Sequence, residues 1–412
     1  MTNRDICIVI PDYAVSTPRA IKEADALHEA GFRIRLVSSR GQLREIAEND
    51  RELLAKKPWE SEVIRWSLSE GARERAFHRI TKVRSYLSRC LPLPSAPWAA
   101  SGECRVYPEL AAAARRRPAA LFIGHYPAGL VAAASGAARW KARLGYDMED
   151  LHVTEHLHDA AKTARIRLIE QTYAPRCASR TAVSDRVAAE ISRLYGFPPP
   201  LVIRNVFPWA ERAGLDGRVL DRRGPKLSLY WYSQSVGLDR GIQDAITASG
   251  ALRGRVQLHL RGSVDAQTRR VLTELARKNG IGEDLYFHPA VSPAELLSRS
   301  AEHDVGLALE QPVSRNRELT ASNKFFYYLL AGLAVAVTDV PGQRDVFEPY
   351  PGAGVLYRPG DTASLAAWLV SIADDPARLR SCRETALRAA RERWNWETES
   401  RALVDQIRKT LA

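Results

Sequence analysis

The chain has 412 residues, 45% of them hydrophobic, and 60 Lys and Arg against 48 Asp and Glu give it a formal net charge of +12. This much apolar material excludes wholesale disorder, and the length favours two domains. The longest apolar run, residues 329–337, is too short to span a bilayer, and no signal peptide is visible. The five cysteines are scattered, so neither a disulfide framework nor a Cys-x-x-Cys metal pair is expected. These features predict a cytoplasmic protein.

In the first half of the chain, short runs of β-branched residues alternate with segments of helical spacing. Residues 6–10, 19–30 and 32–37 open this pattern as strand, helix and strand. Further strands are predicted at residues 119–124, 143–147, 180–183 and 201–204. Further helices are predicted at residues 128–138, 165–176 and 185–195. Such alternation predicts an α/β fold with a parallel sheet and helices on its faces.

The second half repeats the alternation after a stretch rich in charge, Gly and Pro. Strands are predicted at residues 227–232, 256–260, 285–288, 305–309 and 334–338, each followed by a helical segment. The chain is therefore interpreted as two Rossmann-like doubly wound domains that face a central cleft. The predicted boundaries are 1–205 for an acceptor-side domain, 206–225 for a linker, 226–390 for a donor-binding domain, and 391–412 for a helix that packs back on the first domain. Ligands of such domains bind outside the carboxyl ends of the strands.

One segment, residues 71–90, does not follow the alternation. Ala76, Ile80, Val83 and Leu87 form one apolar stripe at helical spacing, and basic residues outnumber the single acidic one. Such a helix is typical either of a surface helix that packs its stripe on the core or of one that lies on an anionic membrane. The sequence leaves both interpretations open.

Residues 322–339 (SNKFFYYLLAGLAVAVTD) carry a resemblance to a known family. They resemble the Asn-Lys-x-x-Glu-Tyr-x-x-x-Gly-x-Pro-Val-Val helix of the family 4 glycosyltransferases, which have the GT-B fold. Residues 181–184 and 202–205 before the linker, and 352–361 near the end, are similar to further segments of that family in the same order. The resemblance covers nearly the whole chain. It implies a nucleotide-sugar as substrate and no cofactor.

The resemblance also implies which residues bind the donor. The loop at residues 232–241 resembles the family's diphosphate loop, so Ser233, Gln234 and Gly237 are expected to contact the donor, and Arg240 matches the second of its two cations. The first cation has no match, and Arg261 or plain hydrogen bonds are expected to replace it. Lys324, with Asn323 before it, begins a predicted helix, where a compact ammonium suits a phosphate or sugar oxygen.

The carboxylates of the donor domain depart from the family pattern. The family's Glu-x7-Glu motif has a literal match from Glu310 to Glu318, but the register to the helix Gly places Tyr327 where the family has its ribose-binding Glu. Glu310 ends a predicted strand, where a ligand-facing carboxylate belongs, and it is predicted to be catalytic together with His125 and Asp147. Glu318 is expected to face the donor sugar from the loop. The missing Glu indicates either a changed donor or a weakened enzyme.

The first domain contributes residues from three loops that follow predicted strands. His125, in a Gly-His-Tyr turn similar to the family's, is expected to contact the donor sugar. Asp147, in an acidic segment, is expected to orient or deprotonate an acceptor hydroxyl. Four residues are expected to face the acceptor: Asp12, Arg19, Glu149 and Glu155. Histidines at 152, 156 and 158 raise a metal-site alternative, but their spacing matches no known ligand pattern, so no metal is predicted.

The sequence therefore predicts a glycosyltransferase that moves a sugar from a nucleotide-sugar to a hydroxyl acceptor, and the family resemblance implies that it is retaining and metal-independent. The expected biological role is cell-surface polysaccharide or glycolipid synthesis. If residues 71–90 bind an anionic membrane, the protein is expected to lie at the inner face of the cell membrane. Two alternatives stay open, a nucleotide-sugar 2-epimerase and a non-catalytic binding protein of the same fold. No nucleic-acid recognition module is present, so the charge does not indicate a nucleic-acid partner.

Overall fold

The computed structural model describes residues 4–41, 43–66, 71–91, 93–155, 158–218 and 226–412, without the side chains of residues 44 and 45. The chain divides into two compact units. Unit 1 comprises Met1–Ile203 with Ser400–Ala412, and unit 2 comprises Arg204–Glu399. Each unit contains one sheet flanked by helices, which confirms the predicted α/β class.

Unit 1 contains a seven-stranded sheet in which neighbouring strands are all parallel. Its strands are β1 (Asp5–Val9), β2 (Arg33–Arg40), β3 (Glu60–Arg65), β4 (Leu121–His125), β5 (Arg143–Met148), β6 (Ser179–Ala182) and β7 (Leu201–Val202). Its helices are α1 (Pro18–Glu29), α2 (Arg44–Ala55), α3 (Ala72–Cys90), α4 (Ala96–Glu103), α5 (Tyr107–Arg115), α6 (Tyr126–Trp140), α7 (Ala160–Tyr173) and α8 (Asp185–Tyr195).

Unit 2 contains a six-stranded sheet that is likewise parallel. Its strands are β8 (Leu227–Ser235), β9 (Val256–Ser263), β10 (Leu285–His288), β11 (Val305–Ala308), β12 (Ala334–Thr338) and β13 (Gly354–Tyr357). Its helices are α9 (Ile242–Ser249), α10 (Ala266–Lys278), α11 (Pro293–Ala301), α12 (Arg315–Leu319), α13 (Asn323–Ala331), α14 (Pro341–Phe347), α15 (Thr362–Asp374) and α16 (Pro376–Glu392). The last helix, α17 (Trp396–Leu411), begins in the residues of unit 2 and ends in those of unit 1.

Both sheets reverse their strand order beside their first strand. The order is β3-β2-β1-β4-β5-β6-β7 in unit 1 and β10-β9-β8-β11-β12-β13 in unit 2. At such a reversal, the helices that follow the two central strands leave to opposite faces, and a crevice opens at the carboxyl ends of those strands. The crevices lie beside β1 and β4 in unit 1, and beside β8 and β11 in unit 2.

The orientation of helix α3 decides between the two interpretations of residues 71–90. Its apolar stripe is exposed, with 62% of Ile80 and 56% of Val83 open to solvent, while its buried residues are Thr81, Ser85 and Ser88. The interpretation that the stripe packs on the core is therefore wrong.

Polar contacts attach α3 to unit 1 instead. Arg84 forms a bidentate ion pair with Glu109, with N–O distances of 3.0 and 2.7 Å, and the Ser88 hydroxyl donates to the carbonyl of Trp98. Because hydrogen bonds of this kind are directional and need polar side chains on the inner face, the apolar residues are left on the outer face. None of the helices in the described part of the chain is long and apolar enough to cross a bilayer.

Candidate active site

The turn between β4 and α6 brings a helix start against the sheet of unit 1. A Cβ atom on Gly129 would lie 2.7 Å from the Val9 carbonyl oxygen, and one on Gly124 would overlap the backbone of Leu130. Only glycine permits this approach, which explains the two glycines that bracket the turn. Tyr126, at the centre of the turn, has a φ of 59°, a left-handed conformation that a non-glycine residue adopts only when its surroundings enforce it.

His125 occupies this turn with both ring nitrogens beside carboxylates. Its Nε2 lies 2.6 Å from Glu23 Oε2, its Nδ1 lies 3.2 Å from Asp147 Oδ2, and only 1% of the residue is exposed. Burial lowers the pKa of His125, but the hydrogen bonds and charges of Asp147 and Glu23 outweigh it and raise the pKa to about 10. A contact of the ring with a donor sugar therefore requires that one of these two carboxylates moves away.

Asp147 is itself held by a buried guanidinium. Arg19 Nε and Nη2 donate to its two oxygens at 2.7 and 2.9 Å, and Arg19 Nη1 donates to the Ile203 carbonyl at 2.6 Å. Burial raises the pKa of Asp147, but Arg19 and His125 outweigh it and hold the pKa far below its ordinary value. Asp147 is therefore a weak base. Its geometry fits positioning of His125 rather than removal of an acceptor proton, and Arg19 is likewise buried rather than facing an acceptor.

Glu149 is the carboxyl group of this cluster that titrates near neutrality. Burial and the neighbouring charge of Asp150 raise its pKa to about 7. Its Oε2 is buried, and no hydrogen-bond partner for it exists among the described residues. An unsatisfied carboxylate oxygen favours the protonated form, which needs less solvation.

Replacing Glu149 by glutamine is expected to stabilise the protein above about pH 4.5 and not below it. Because the folded-state pKa lies above the unfolded value, wild-type stability is fully present below the unfolded value of 4.5 and is lost as the pH rises from there through the folded value of about 7. Glutamine removes this loss, so its advantage in unfolding free energy should grow between these two values and reach about 3 kcal/mol at pH 8.5. Urea unfolding of both proteins between pH 4 and 9 measures it, and a difference that does not change with pH would contradict the assignment.

A metal does not fit the first of two candidate ligand groups. In each group the described residues place one ligand atom apiece within 4.8 Å of one another; the groups are His125 with Asp147 and Glu149, and Asp150 with His152 and Glu155. The guanidinium of Arg19, which donates to both oxygens of Asp147, opposes a cation in the first group. In the second, burial lowers the pKa of His152, but Glu155 and other carboxylates raise it to about 9. His156 lies outside the described residues.

The other acceptor-side residues lie at a cavity of about 690 Å³ in unit 1. Asp12, which follows β1, and Glu155, which follows β5, both line it. Arg19, Asp147 and Glu149 do not. The structure therefore separates the four predicted acceptor-side residues into two that line a cavity, Asp12 and Glu155, and two that lie near His125 with Asp147, Arg19 and Glu149.

In unit 2 the loop after β8 is shaped by close backbone contacts. Val236 N donates to the Ser263 carbonyl at 2.8 Å, and Ser263 Oγ donates to the Gln234 carbonyl at 2.8 Å. Gly241 has a φ of 70°, and a Cβ there would lie 2.7 Å from the Leu309 carbonyl oxygen. The loop that carries Ser233, Gln234 and Gly237 is thus tied to the ends of β9 and β11, beside the crevice of this sheet.

Two arginines share one carboxylate at the end of this loop. Arg317 Nη1 lies 3.0 Å from Asp239 Oδ2, and Arg240 Nε lies 3.5 Å from Asp239 Oδ1. Asp239 therefore places two guanidinium groups next to each other. The sequence reasoning identified Arg240 and missed Arg317, although Arg317 directly precedes Glu318, which the sequence analysis singled out; both lie in helix α12.

Glu310 and Lys324 form an ion pair at the carboxyl end of β11. Lys324 Nζ lies 3.5 Å from Glu310 Oε1, which also accepts a 2.9 Å hydrogen bond from Ser322 Oγ. Burial raises the pKa of Glu310, but the charges of Lys324, Arg317 and Arg240 outweigh it and hold the pKa below its ordinary value. We call Lys324, which pairs with Glu310, and Arg240 and Arg317, which contact Asp239, the cation group. Asn323, the first residue of α13, is exposed beside Lys324.

Three predicted donor residues have other surroundings. Arg261 is buried and donates to Tyr230 Oη at 3.1 Å and to the Pro289 carbonyl at 3.0 Å, so it does not supply the missing cation of the loop. Tyr327 is buried, with its ring centroid 4.5 Å from that of Phe207, and so does not present its hydroxyl to a ligand. Glu318 Oε2 forms an ion pair with Arg315 Nη1 at a distance of 2.9 Å.

Solved structures similar to this chain over nearly its full length are glycosyltransferases. Sucrose-phosphate synthase from Thermosynechococcus elongatus matches with a TM-score of 0.68 at 16% identity, covering 98% of each chain. Anabaena HepE, solved with UDP and glucose, matches with a TM-score of 0.70 at 13% identity, covering 98% of this chain and 99% of that one. A UDP-forming α,α-trehalose-phosphate synthase from Burkholderia xenovorans matches with a TM-score of 0.66 at 13% identity over the full length of both.

The chain has the GT-B fold. No protein-family model matches the sequence, and no curated protein is significantly similar to it. At these identities the structural likeness establishes the fold alone.

Each unit of this GT-B chain carries one group of candidate residues. Unit 1 holds the network around His125 and the cavity beside it, and unit 2 holds the cation group around Glu310. Both groups lie at carboxyl ends of strands next to a reversal of strand order, where ligands of doubly wound sheets bind.

Proposed function

We propose that this chain is a glycosyltransferase that moves a sugar from a nucleotide-sugar donor to a hydroxyl acceptor. The observation that supports it is the cation group: Lys324 pairs with Glu310 at the carboxyl end of β11, and Arg240 and Arg317 both contact Asp239 at the end of the loop after β8. A departing nucleoside diphosphate gains negative charge as the glycosidic bond breaks. Fixed cations at that position lower the barrier because they need no reorganisation during the reaction.

Metal independence and retention of configuration belong to the same proposal. Three side-chain cations supply the positive charge that a divalent ion otherwise supplies to a diphosphate. Transfer in a buffer containing EDTA, with the anomeric configuration of the product read by proton NMR, tests both features. A requirement for Mg²⁺ or Mn²⁺, or an inverted product, would refute the corresponding feature while leaving the transferase assignment in place.

The role of Arg317 gives a direct test of the donor site. Arg317→Ala is expected to weaken binding of the matching nucleotide-sugar about tenfold, since one charge-assisted hydrogen bond is lost. Calorimetry with UDP-, GDP- and ADP-sugars identifies the donor and measures the change. Arg315→Ala is the matched control, because Arg315 lies two residues away and is paired with Glu318 instead of Asp239.

Three outcomes of the donor panel separate the candidate functions. Turnover that needs an acceptor supports the transferase, and acceptor-free conversion of the donor to an epimer would replace it by a nucleotide-sugar 2-epimerase. Donor binding without turnover would indicate a binding protein, an alternative favoured by the buried Tyr327 at the place of the family's ribose-binding Glu. If no nucleotide-sugar binds, the proposal fails.

We also propose that helix α3 places the enzyme on an anionic membrane, in cell-surface polysaccharide or glycolipid synthesis. Its outer face combines exposed apolar residues with exposed cations that do not line the cavity of unit 1, which are Arg73, Arg75 and Arg79. Apolar side chains enter the headgroup region while cations pair with lipid phosphates, and each cation adds about 1 kcal/mol near such a surface. The exposed Leu91 and Leu93 extend the apolar surface beyond the helix end.

Charge reversal on this face is expected to abolish vesicle binding. Arg73→Glu, Arg75→Glu and Arg79→Glu together should reduce co-sedimentation with vesicles of 30% phosphatidylserine by about tenfold or more at low salt. Arg84 is left unchanged because its ion pair with Glu109 holds the helix in place. Reversing three exposed residues of α10, Arg270, Arg277 and Lys278, is the matched control, because it changes the net charge equally. Equal losses of vesicle binding in both proteins would contradict a role for α3.

A further inference from the structure

The cavity of about 690 Å³ in unit 1 has walls of a distinct chemistry. Lys82 and Arg89 reach it from α3, and Lys162 reaches it from α7. The cavity is also lined by three aromatic residues, Trp66, Tyr86 and Tyr126. We propose that this cavity binds the acceptor, and that the acceptor is a sugar carrying a phosphate or carboxylate group. This inference rests on the proposed transferase function.

The three cations form no ion pair with a carboxylate among the described residues. In the part of the chain that the structure describes, none of Lys82, Arg89 and Lys162 has a carboxylate oxygen within 4.0 Å. Arg89 Nε donates to the Gly102 carbonyl at 2.9 Å, which fixes the stem of the side chain and leaves its two terminal nitrogens for a ligand. Cations that line a concave site without a counter-ion raise the local concentration of anions and bind them.

The carboxylates of the same cavity are largely neutralised. Glu103 Oε1 forms a 2.7 Å ion pair with Arg165 Nε, and Glu155 Oε2 lies 3.3 Å from His152 Nδ1. Asp12 is exposed and accepts a 2.7 Å hydrogen bond from the Tyr13 amide. The balance of charge at the cavity therefore stays positive, which excludes a cationic acceptor.

The remaining wall fits a sugar ring. Trp66 is fixed by the guanidinium of Arg105, which lies 4.4 Å from its ring centroid, and Tyr126 is fixed by His152, with ring centroids 5.5 Å apart. Rigid aromatic faces pack against the apolar C–H faces of a sugar, while a few polar groups set its orientation. Asp12 is placed to accept a hydrogen bond from a sugar hydroxyl.

Calorimetry on the full chain with glucose, glucose 6-phosphate and glucuronate tests the charge requirement. The two anionic sugars are expected to bind at least about tenfold more tightly than glucose, and Lys82→Ala with Arg89→Ala should remove that preference. Lys162→Ala, on a different helix, should reduce the preference independently. Arg79→Ala on the outer face of α3 is the control and should leave the preference intact.

A second arm distinguishes the source of the anionic group. Binding of the soluble probes points to a free phosphosugar or uronate, whereas binding only to vesicles of 10% phosphatidylinositol in phosphatidylcholine, lost in the Lys82/Arg89 variant, points to a lipid-linked sugar. Equal affinity for glucose and the anionic sugars, with no binding to the vesicles, overturns the inference. Nucleotide-sugar binding is measured on the same samples. If the nucleotide-sugar still binds, only the acceptor inference fails; if it does not bind, the proposed transferase function fails as well.

Discussion

Replacing Lys324 by methionine is expected to reduce kcat/KM for the nucleotide-sugar by about 100- to 1,000-fold, the usual effect of losing one charged group that stabilises a transition state. Lys324 forms an ion pair with Glu310 and lies in the first turn of helix α13, so its charge adds to the partial positive charge of the helix start. Methionine keeps the length and apolar stem of the side chain, including its packing beside Trp231, and removes only the charge.

The reduction should appear mainly in kcat, because the diphosphate gains charge only as it departs. Steady-state kinetics with the identified donor measure it. Lys278→Met is the matched control, since Lys278 is an exposed lysine of the same unit whose nearest carboxylate belongs to its own helix. Turnover of Lys324→Met equal to that of the control would refute the donor site in its present form.

Replacing Asp147 by alanine is expected to lower the free energy of unfolding by about 3–5 kcal/mol, the cost of leaving a buried charge without its partner. The guanidinium of Arg19 is 3% exposed and would lose both hydrogen bonds to Asp147. Thr181 would also lose the acceptor of its 2.5 Å hydrogen bond. His125 would keep only Glu23, so its pKa should fall.

Urea unfolding measures this loss, and titration of the His125 ring by NMR measures the change in its pKa. Asp374→Ala is the control, because Asp374 pairs with Arg255 at the surface, where both side chains are about half exposed and an ion pair contributes little. If Asp147→Ala does not fold, Asp147→Asn, which keeps the shape and one acceptor oxygen, gives the same comparison at a smaller loss. Stability equal to wild type in the asparagine variant would contradict the network.

Much of the fold could be predicted because parallel strands buried on both faces are continuous apolar runs. The predicted strand at residues 6–10 corresponds to β1, and the predicted helix at residues 19–30 corresponds to α1. Helix α2 and strand β3 were not predicted. Strand β3 is at the edge of the sheet and reads ESEVIR, with charges at three of six positions, so it lacks the apolar run that indicates a strand.

The candidate sites show the same limit. His125 and Glu310 could be predicted because each ends or follows a strand, and strand ends of parallel sheets carry ligand-facing residues. Their partners could not be predicted, since Glu23 is 102 residues from His125, and nothing in the local pattern around either residue indicates a contact. Arg19 and Asp147, predicted to face an acceptor, instead neutralise each other at a separation of 128 residues.

By itself, the sequence determined the α/β class, the two-domain series of strands and helices, and the loops in which the chemistry lies, because local hydrophobic pattern and chain order dictate these features. Only the tertiary structure decided how the +12 charge is used. Arg19 and Arg84 form ion pairs with carboxylates of unit 1, whereas Arg317 and Arg240 both contact Asp239. The structure also decided that the apolar stripe of α3 faces outward, since the hydrogen bonds that attach this helix require its polar face. Charge and amphipathicity are properties of a segment, but the partner of each side chain is set by residues far away in the chain.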